Sequence, residues 1–323
     1  MKSVLIMLIL FLQGLIISAQ EVAVKAIQLS GPVGSPKQEI SGLAWLDDNL
    51  ILLPEVPAGF VFAIPKKELL NQISSDSPIP IKPNKIEFNT PDYRKTIPGF
   101  DGFEALATSG STVYFTIEAR YSKQMVGYLI KGEFDKKLNQ IIVGANDIIK
   151  LIPPVNLKNF TFEALLTFGG IVSPIYEANG PTVNPNPTVQ IYSLFLENLG
   201  TAAFPELEYR VTDATAVDSR GVFWVINYYW PGDSDILMPG TDILLNDFPK
   251  GVSHKNSETV ERLIEMQYFQ GAINLTGRPP IQLELLPGES RNWEGLVRID
   301  DLGFIIMTDM FPEAILGFVP QPD

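Results

Sequence analysis

Acidic and other oxygen-bearing side chains recur at one place in five short, similar segments of this 323-residue chain. Each segment begins with a polar residue and continues with small and apolar ones; the leading residues are Ser41, Glu104, Glu163, Asp213 and Glu294. A second polar residue follows about fourteen positions later, and these partners are Glu55, Glu118, Glu177, Asn227 and Asp309. If folding gathers them, they could bind a hard cation such as Ca2+, which takes about 6–8 oxygen ligands.

The spacing of the segments indicates which elements position these side chains. Self-similarity at a period of roughly 50–60 residues is typical of a repeat architecture. Each repeat contains short β-rich runs separated by Gly, Pro and Asn, and four such runs per repeat match a propeller blade. We therefore predict an all-β fold, a five-bladed β-propeller, with six blades as the main alternative. The unpaired run Val22 to Leu29 is expected to complete the last blade and close the ring.

Hairpin geometry predicts where the polar side chains lie. Each leading residue and its partner are centred on a turn-like run, so each pair is expected to be directly opposite in a hairpin, with Cα atoms about 5 Å apart. If the first strand of each blade lines the central channel, the leading residues form an inner ring and their partners form a second ring.

Crowded carboxylates cannot all remain ionised in a channel of low dielectric without a counter-ion. No Lys occupies a ring position, so we predict that Ca2+ is bound by Ser41, Glu104, Glu163, Asp213 and Glu294. The second ring would contribute Glu55, Asn227 and Asp309. The structural alternative is that the repeated acids accept hydrogen bonds from backbone amides of the neighbouring blade.

Composition limits the classes of function. There are 37 Asp and Glu against 24 Lys and Arg, a net charge of −13, which argues against nucleic acid or an anionic membrane as a partner. The absence of Cys excludes disulfides, thiol catalysis and zinc–thiolate sites. A single His, His254, excludes a histidine-cluster metal site. We expect a monomer that binds a small-molecule substrate or ligand at the channel mouth.

The N-terminus has the features of an export signal. Lys2 precedes an apolar run from Val4 to Leu12, and Ile17-Ser18-Ala19 supplies small residues for cleavage. We predict a signal peptide over residues 1–19, a secreted or periplasmic protein, and one propeller domain over residues 20–323. A Pro-, Gly- and Asp-rich insertion at about 230–257 interrupts the fourth blade; we expect it to be a solvated loop in which His254 is exposed.

The inner-ring residues resemble those of the calcium-dependent nucleotidase (apyrase) propellers. That family lines its channel with Ser, Glu, Glu, Ser and Glu around a calcium ion, and this chain has Ser, Glu, Glu, Asp and Glu at the five positions. The chain also resembles the esterase-like phytase propellers, which share the Glu-Gly-Leu type of segment. It departs from the nucleotidases where their first hairpin ends in paired Asp followed by Arg, because here the residues are Pro54-Glu55-Val56.

Three functions fit these observations. The first is metal-assisted hydrolysis of a phosphoester or ester, with Glu118 or Glu177 as general base and Arg120 holding an anionic substrate. The second is a non-catalytic propeller in which calcium is structural and the face binds a ligand or a protein. The third is a lactonase-like or sugar-oxidising propeller with a different metal, because fold alone does not fix function.

Overall fold

A computed structural model describes residues 21–322 of the chain, so the predicted signal peptide lies outside the described residues. The fold is all-β and propeller-like, and its strand pairing forms five consecutive antiparallel units, each built around four strands. No helix within residues 21–322 is both long and apolar enough to cross a membrane.

The first two units follow a short N-terminal segment. That segment contains β1 (Glu21–Val22), β2 (Lys25–Ile27) and the 3-10 turns Pro32–Gly34 and Pro36–Gln38. The first unit contains β3 (Ile40–Leu46), β4 (Asn49–Pro54), β5 (Phe60–Pro65), α1 (Lys66–Ser74) and β6 (Asn84–Asn89). After α2 (Tyr93–Thr96), the second unit contains β7 (Phe100–Ser109), β8 (Thr112–Tyr121), β9 (Gln124–Asp135) and β10 (Gln140–Leu151).

The remaining units are less regular. The third contains β11 (Ala164–Phe168), β12 (Ile171–Ile175), β13 (Thr188–Ser193) and β14 (Asn198–Ala203). The fourth contains β15 (Arg210–Ala214), β16 (Val222–Tyr229), β17 (Val260–Phe269), β18 (Ala272–Leu275) and β19 (Ile281–Leu283). The fifth contains β20 (Trp293–Ile299), β21 (Gly303–Thr308) and β22 (Leu316–Pro320).

The units are arranged around a common axis. Their first strands contact one another in a closed order, β3 to β7, β11, β15, β20 and back to β3. Five clusters of buried apolar side chains lie between successive units, including one between the fifth and the first. Because each sheet buries both faces against its neighbours, most strands consist of continuous apolar residues, as in β16, where all eight residues are buried.

The N-terminal segment joins the last two units. Strand β2 pairs antiparallel with β22 and supplies the fourth strand of the fifth unit, as expected from the unpaired N-terminal run. Strand β1 pairs parallel with β19 of the fourth unit. The Glu21 carboxylate also accepts hydrogen bonds from the backbone N–H groups of Ser253 and His254. The segment of residues 21–27 therefore connects two units and the insertion.

Two sequence-based expectations were wrong. The β-rich run Glu206 to Val211 is the candidate that the sequence offers for the fourth strand of the third unit, but that strand is β14, since Arg210 already begins the fourth unit. The sequence of β14, Asn-Leu-Gly-Thr-Ala-Ala, has low β-propensity and mostly exposed side chains, so it lacks the apolar pattern of a strand. His254 is 2% exposed and not solvated, because its Nδ1 lies 2.8 Å from the Glu21 carboxylate.

The insertion is a folded segment. It contains the 3-10 turns Pro231–Asp233, Ile243–Asn246 and His254–Asn256 and the one-turn helix α3 (Ser234–Leu237). A buried ion pair of 2.7 Å between Arg262 of β17 and Asp242 fixes its middle. The insertion is therefore attached to the sheet on which it lies.

Candidate active site

The leading residues are positioned by β-bulges. In the first, second, fourth and fifth units the register of the first hairpin shifts at or immediately beside the leading residue, as it does between Ile40 and Gly42 around Ser41. In the third unit, Glu163 directly precedes the first residue of β11. A bulge adds one residue to one strand and re-aims its side chain, so these side chains turn toward the axis.

Because of the bulges, the observed pairing of the ring residues differs from the predicted pairing. Glu118 lies opposite Gly102 instead of Glu104, and Asn227 lies opposite Val211 instead of Asp213. The expected direct opposition of ring partners was therefore wrong by about two residues, because an extra residue in the first strand moves the register. Gly102 makes room for the second ring: a Cβ at this glycine would lie 2.2 Å from Cγ of Glu55.

Arg210 is the charged group at the centre of the site. Its guanidinium forms a direct ion pair with Glu177 and lies 3.4 Å from Glu163 and 3.7 Å from Glu294. These acids belong to the third and fifth units, whereas Arg210 begins the fourth. Its side chain is 14% exposed. One cation from the protein itself therefore holds carboxylates of two other units.

Sequence reasoning missed Arg210 because only the ring positions were searched for a cation. Arg210 lies three residues before Asp213, and Arg291 lies at the same offset before Glu294. This shared offset could have indicated an arginine beside the ring. It is ambiguous because only one of the two arginines pairs with ring carboxyls. Arg291 forms a buried pair of 2.7 Å with Glu261, in the interior between the fourth and fifth units.

A second group of carboxyls has no such partner. Burial raises the pKa of Glu104 well above its usual value, and Glu118, Glu163, Glu55 and Glu294 raise it further through like charge. Burial raises the pKa of Glu118 to about 7, although Thr161 donates a 3.0 Å hydrogen bond to it. Burial and the neighbouring Glu39 raise the pKa of Glu55 to about 8. These groups therefore retain protons at pH values where ordinary carboxyls are ionised.

Glu163 and Glu177 form a closely coupled pair beneath Arg210. Glu177 is fully buried, and its Oε2 has no hydrogen-bond donor among the described residues. Burial raises the pKa of Glu177 to about 7 against the opposing charge of Arg210, and burial together with Glu177 raises the pKa of Glu163 well above its usual value. A proton shared by the two carboxyls would satisfy the orphaned oxygen.

Glu294 has donors as well as a cation. Asn292 Nδ2 donates to Glu294 Oε1 at 2.6 Å and to Asp309 Oδ2 at 2.9 Å. Burial and the charge of Asp309 raise the pKa of Glu294, while Arg210 and Asn292 oppose the rise. Glu294 and Asp309 keep some solvent exposure, so this side of the site is open to a ligand.

Three predicted site residues have structural partners. Ser41 Oγ donates a 2.7 Å hydrogen bond to the carbonyl of Phe103 in the next unit. Asp213 accepts from the backbone N–H of Ala214 at 2.7 Å and of Leu296 in the fifth unit at 2.6 Å. Asn227 Nδ2 donates to the carbonyl of Arg210 at 3.0 Å. Asp213 therefore has the contacts of the structural alternative, in which a repeated acid binds a neighbouring amide.

Two residues of the predicted five-residue calcium ring have other partners in the structure, and the ring itself stays a prediction. Ser41 and Asp213 direct their polar atoms at the backbone, and Arg210 supplies counter-charge beside Glu163 and Glu294. Among residues 21–322, no three His, Cys, Asp or Glu side chains converge closely enough to hold a metal ion. Only Glu104 among the five combines free oxygens with the absence of a cationic neighbour in the described chain.

Arg120 lies at the rim. It is exposed, and only its backbone is fixed, by a 2.7 Å hydrogen bond from its N–H to the carbonyl of Gly99. The next residue, Tyr121, is 63% exposed. Glu118 is therefore buried among the carboxyls, whereas Arg120, two residues later, is solvated.

We predict that Arg210→Gln lowers the free energy of unfolding by about 3–5 kcal/mol, since removal of one partner from a buried ion pair leaves uncompensated charge. Urea denaturation at pH 7 measures this loss. Arg220→Gln is the matched control, because Arg220 pairs with Asp218 at the surface and is 72% exposed. Equal stability of the two variants would show that Arg210 is not the internal counter-ion.

We predict that stability falls as pH rises from about 6.5 to 8.5. Unfolded carboxyls are already ionised in this range, whereas folded Glu55, Glu118 and Glu177 release protons only near pKa values of about 8, 7 and 7. The folded state therefore binds more protons than the unfolded state, and the slope of stability against pH is negative. Melting temperatures test this, with a shallower decline expected for Glu118→Gln; a flat wild-type profile would contradict the assignment.

Comparisons with known proteins identify only the fold. No protein-family model matches the chain, and no curated protein sequence matches it. A solved structure of a proposed glycoside hydrolase from Parabacteroides distasonis ATCC 8503 is 10% identical, with a TM-score of 0.50 over 94% of this chain and 98% of that one. A glycosyl hydrolase from Bacteroides ovatus is 8% identical, with a TM-score of 0.49 over 94% of this chain and 95% of that one. At such low identity, the similarity shows a shared propeller-like fold.

Proposed function

We propose that the five units are the blades of a five-bladed propeller and that the carboxyls at its axis hydrolyse a neutral glycoside. The observation that carries this proposal is the division of the carboxyls by Arg210. One group, containing Glu163, Glu177 and Glu294, contacts the guanidinium. The other group, containing Glu104 and Glu118, has no cation within ion-pair distance among the described residues, although Arg210 lowers the pKa of Glu118 from farther away. Pairs of carboxyls whose environments differ in this way are suited to acid–base chemistry.

The charge of the site narrows the predicted substrate. A phosphoester would bring negative charge to a cluster of seven carboxyls, namely Glu55, Glu104, Glu118, Glu163, Glu177, Glu294 and Asp309. Within residues 21–322, the one cation in direct contact with that cluster is Arg210, which is already paired. A neutral substrate avoids this repulsion, and hydrolysis of a glycosidic bond needs one protonated and one ionised carboxyl. We therefore favour a glycoside over the phosphoester or ester expected from the sequence.

We assign the two reacting roles to Glu104 and Glu294. Glu104 lies among four carboxyls with no cation beside it, so it is the group best able to hold a proton for the leaving oxygen. Burial and Asp309 raise the pKa of Glu294, but its partial exposure and the donors Arg210 and Asn292 oppose that rise, so Glu294 ionises more readily than Glu104, which has no such donors. It is thus the group able to act as base or nucleophile.

The predicted catalytic residues take supporting roles in this proposal. Glu177 is fully buried against Arg210 and cannot touch a substrate, so it positions the guanidinium. Glu118, which is 6% exposed, keeps Glu104 protonated through like charge. Arg120 at the rim contacts the entering substrate. No step of this reaction uses a metal ion, and the predicted export of the protein would place it where polymeric carbohydrates are encountered.

A purified-protein assay tests the proposal. We expect hydrolysis of at least one aryl glycoside in EGTA, and little hydrolysis of aryl phosphates or aryl acetates. Glu104→Gln and Glu294→Gln are expected to lower kcat/KM by about 10²–10⁴, the usual contribution of a general acid or base. Glu87→Gln, at an exposed position on β6, is the control. Absence of turnover with all glycosides, or equal rates in the three variants, would sink the proposal.

One observation favours a second candidate, a non-catalytic calcium-binding propeller. Glu104 has carboxyls on several sides and no cationic neighbour within residues 21–322. A bound Ca2+ would relieve this repulsion without a proton. A smaller calcium site around Glu104 remains a prediction, and the face of the propeller would then bind a ligand or a protein.

Calorimetry separates the two candidates. If the second is correct, Ca2+ binds the wild type, and Glu104→Gln weakens the affinity by about tenfold or more, which corresponds to about 1.4 kcal/mol. Glu87→Gln should bind as the wild type does. Unchanged affinity in Glu104→Gln would remove Glu104 from the metal site, and hydrolysis that persists in EGTA would favour the first candidate.

A further inference from the structure

A cavity of about 590 Å³ lies between the fourth and fifth units, beside the folded insertion. Its lining combines apolar residues such as Leu285 and Leu286 with polar side chains and is nearly uncharged. One aromatic ring and the side chains of several Ser, Thr and Asn residues contribute, among them Trp230, Ser253, Asn256, Ser257, Thr259 and Ser290. The volume lies in the range of about 300–1,000 Å³ that is usual for small-ligand sites.

Trp230 differs from every other tryptophan of the chain. It is 51% exposed, whereas Trp224 and Trp293 are fully buried and Trp45 is half-buried. The turn that follows it fixes the ring: a Cβ at Gly232 would lie 2.2 Å from the ring atom Cη2. The glycine therefore allows the indole to lie against the backbone of the turn. An ordered, exposed aromatic ring at the edge of a cavity is a surface that binding could cover.

Side-chain contacts link the lining of the cavity to the carboxyl site. Tyr228 Oη and Ser290 Oγ lie 2.9 Å apart, and the Tyr228 ring lies 5.6 Å from the guanidinium of Arg210. Two residues after Ser290, Asn292 binds both Glu294 and Asp309. The Ser290 edge of the cavity is therefore linked, through Tyr228 and Asn292, to the side of the site where Glu294 is partly exposed.

We propose that this cavity binds sugar rings of a neutral oligosaccharide next to the bond that is cleaved. The inference rests on the proposed glycoside hydrolysis and names the part of the substrate that the carboxyls do not contact. The apolar C–H face of a pyranose or furanose would stack on the indole of Trp230, and its hydroxyls would meet the Ser, Thr and Asn side chains. Glu289 is the one ionisable residue in the lining, which suits a neutral ligand.

The exposure of Trp230 supplies a binding assay that does not depend on turnover. Because Trp224 and Trp293 are fully buried and Trp45 is only partly exposed, acrylamide quenching of the intrinsic fluorescence reports mainly on Trp230. The probes are soluble arabinan, mannan, xylan and β-glucan oligosaccharides of four to six sugars. We expect at least one of them to protect the fluorescence from quenching with a saturable concentration dependence.

Two variants and a control locate that binding. Trp230→Ala is expected to raise Kd, measured by calorimetry, about tenfold, as for loss of one aromatic contact. Trp230→Phe should recover part of the affinity because it keeps a stacking ring. Phe195→Ala, which removes an aromatic ring that is 79% exposed on the third unit, should leave Kd unchanged.

The outcomes distinguish this site from the proposed reaction. Saturable protection with Trp230-dependent affinity but no turnover would support the sugar site and refute the hydrolase. Turnover with unchanged Kd and KM in Trp230→Ala would refute the sugar site and leave the hydrolase intact. No protection by any of the four oligosaccharides would overturn the assignment of Trp230.

Discussion

The buried guanidinium of Arg210 is the interaction on which the centre of this structure depends. It pairs with Glu177, approaches Glu163 and Glu294, and is contributed by a unit that supplies none of these three acids. Three segments far apart in sequence therefore share one charge, and each would carry an uncompensated carboxylate without it. Asn227 holds the carbonyl of Arg210 and is itself bound by Arg262, so the position of the cation is determined by β16 and β17. The position of the Arg210 charge therefore depends on the packing of the fourth unit.

Around this centre, polar side chains connect neighbouring units at equivalent places. Ser41, Thr116 and Thr212 donate to the carbonyls of Phe103, Phe162 and Trp293, each of which directly precedes the leading residue of another unit. Asp213 extends the same principle by accepting amides of the fourth and fifth units. The bulges that carry the leading residues leave backbone groups outside the regular ladders, and buried groups of this kind need partners. Some of the repeated polar residues therefore form hydrogen bonds that join neighbouring units. The carboxyls of Glu104, Glu163 and Glu294 are the leading residues that do not serve this purpose and lie at the axis.

Features that recur in every unit could be predicted from the sequence, whereas features that occur in one unit could not. The β-rich runs, the common position of the leading residues and the unpaired N-terminal strand each follow from comparing segments, and the strand pairing has these features. The anchored insertion and buried His254 have no counterpart in the other units, and Arg210 shares its offset only with Arg291, which pairs with Glu261, so comparison between segments could not reveal their contacts. The register error had a different cause: sequence spacing assumes regular pairing, and a bulge beside Glu104 changes the partner of Glu118 without leaving a residue signature. Side-chain contacts at the axis depend on such local irregularities, which is why the ring could be located but its ligands could not be assigned.

The two candidate functions are linked through protons. Burial and neighbouring carboxyls raise the pKa values of Glu104 and Glu118, so any cation that binds there must displace protons, and its affinity must rise with pH. Conversely, the protonated state needed for acid catalysis is the state that excludes a hard cation. At pH values below about 7 the raised pKa of Glu118 favours the proton, and above it the same carboxyl becomes a better ligand. The same few carboxyls therefore determine whether the site holds a proton for catalysis or binds a cation. Arg210 limits their number, because the carboxyls that pair with it already have a counter-charge.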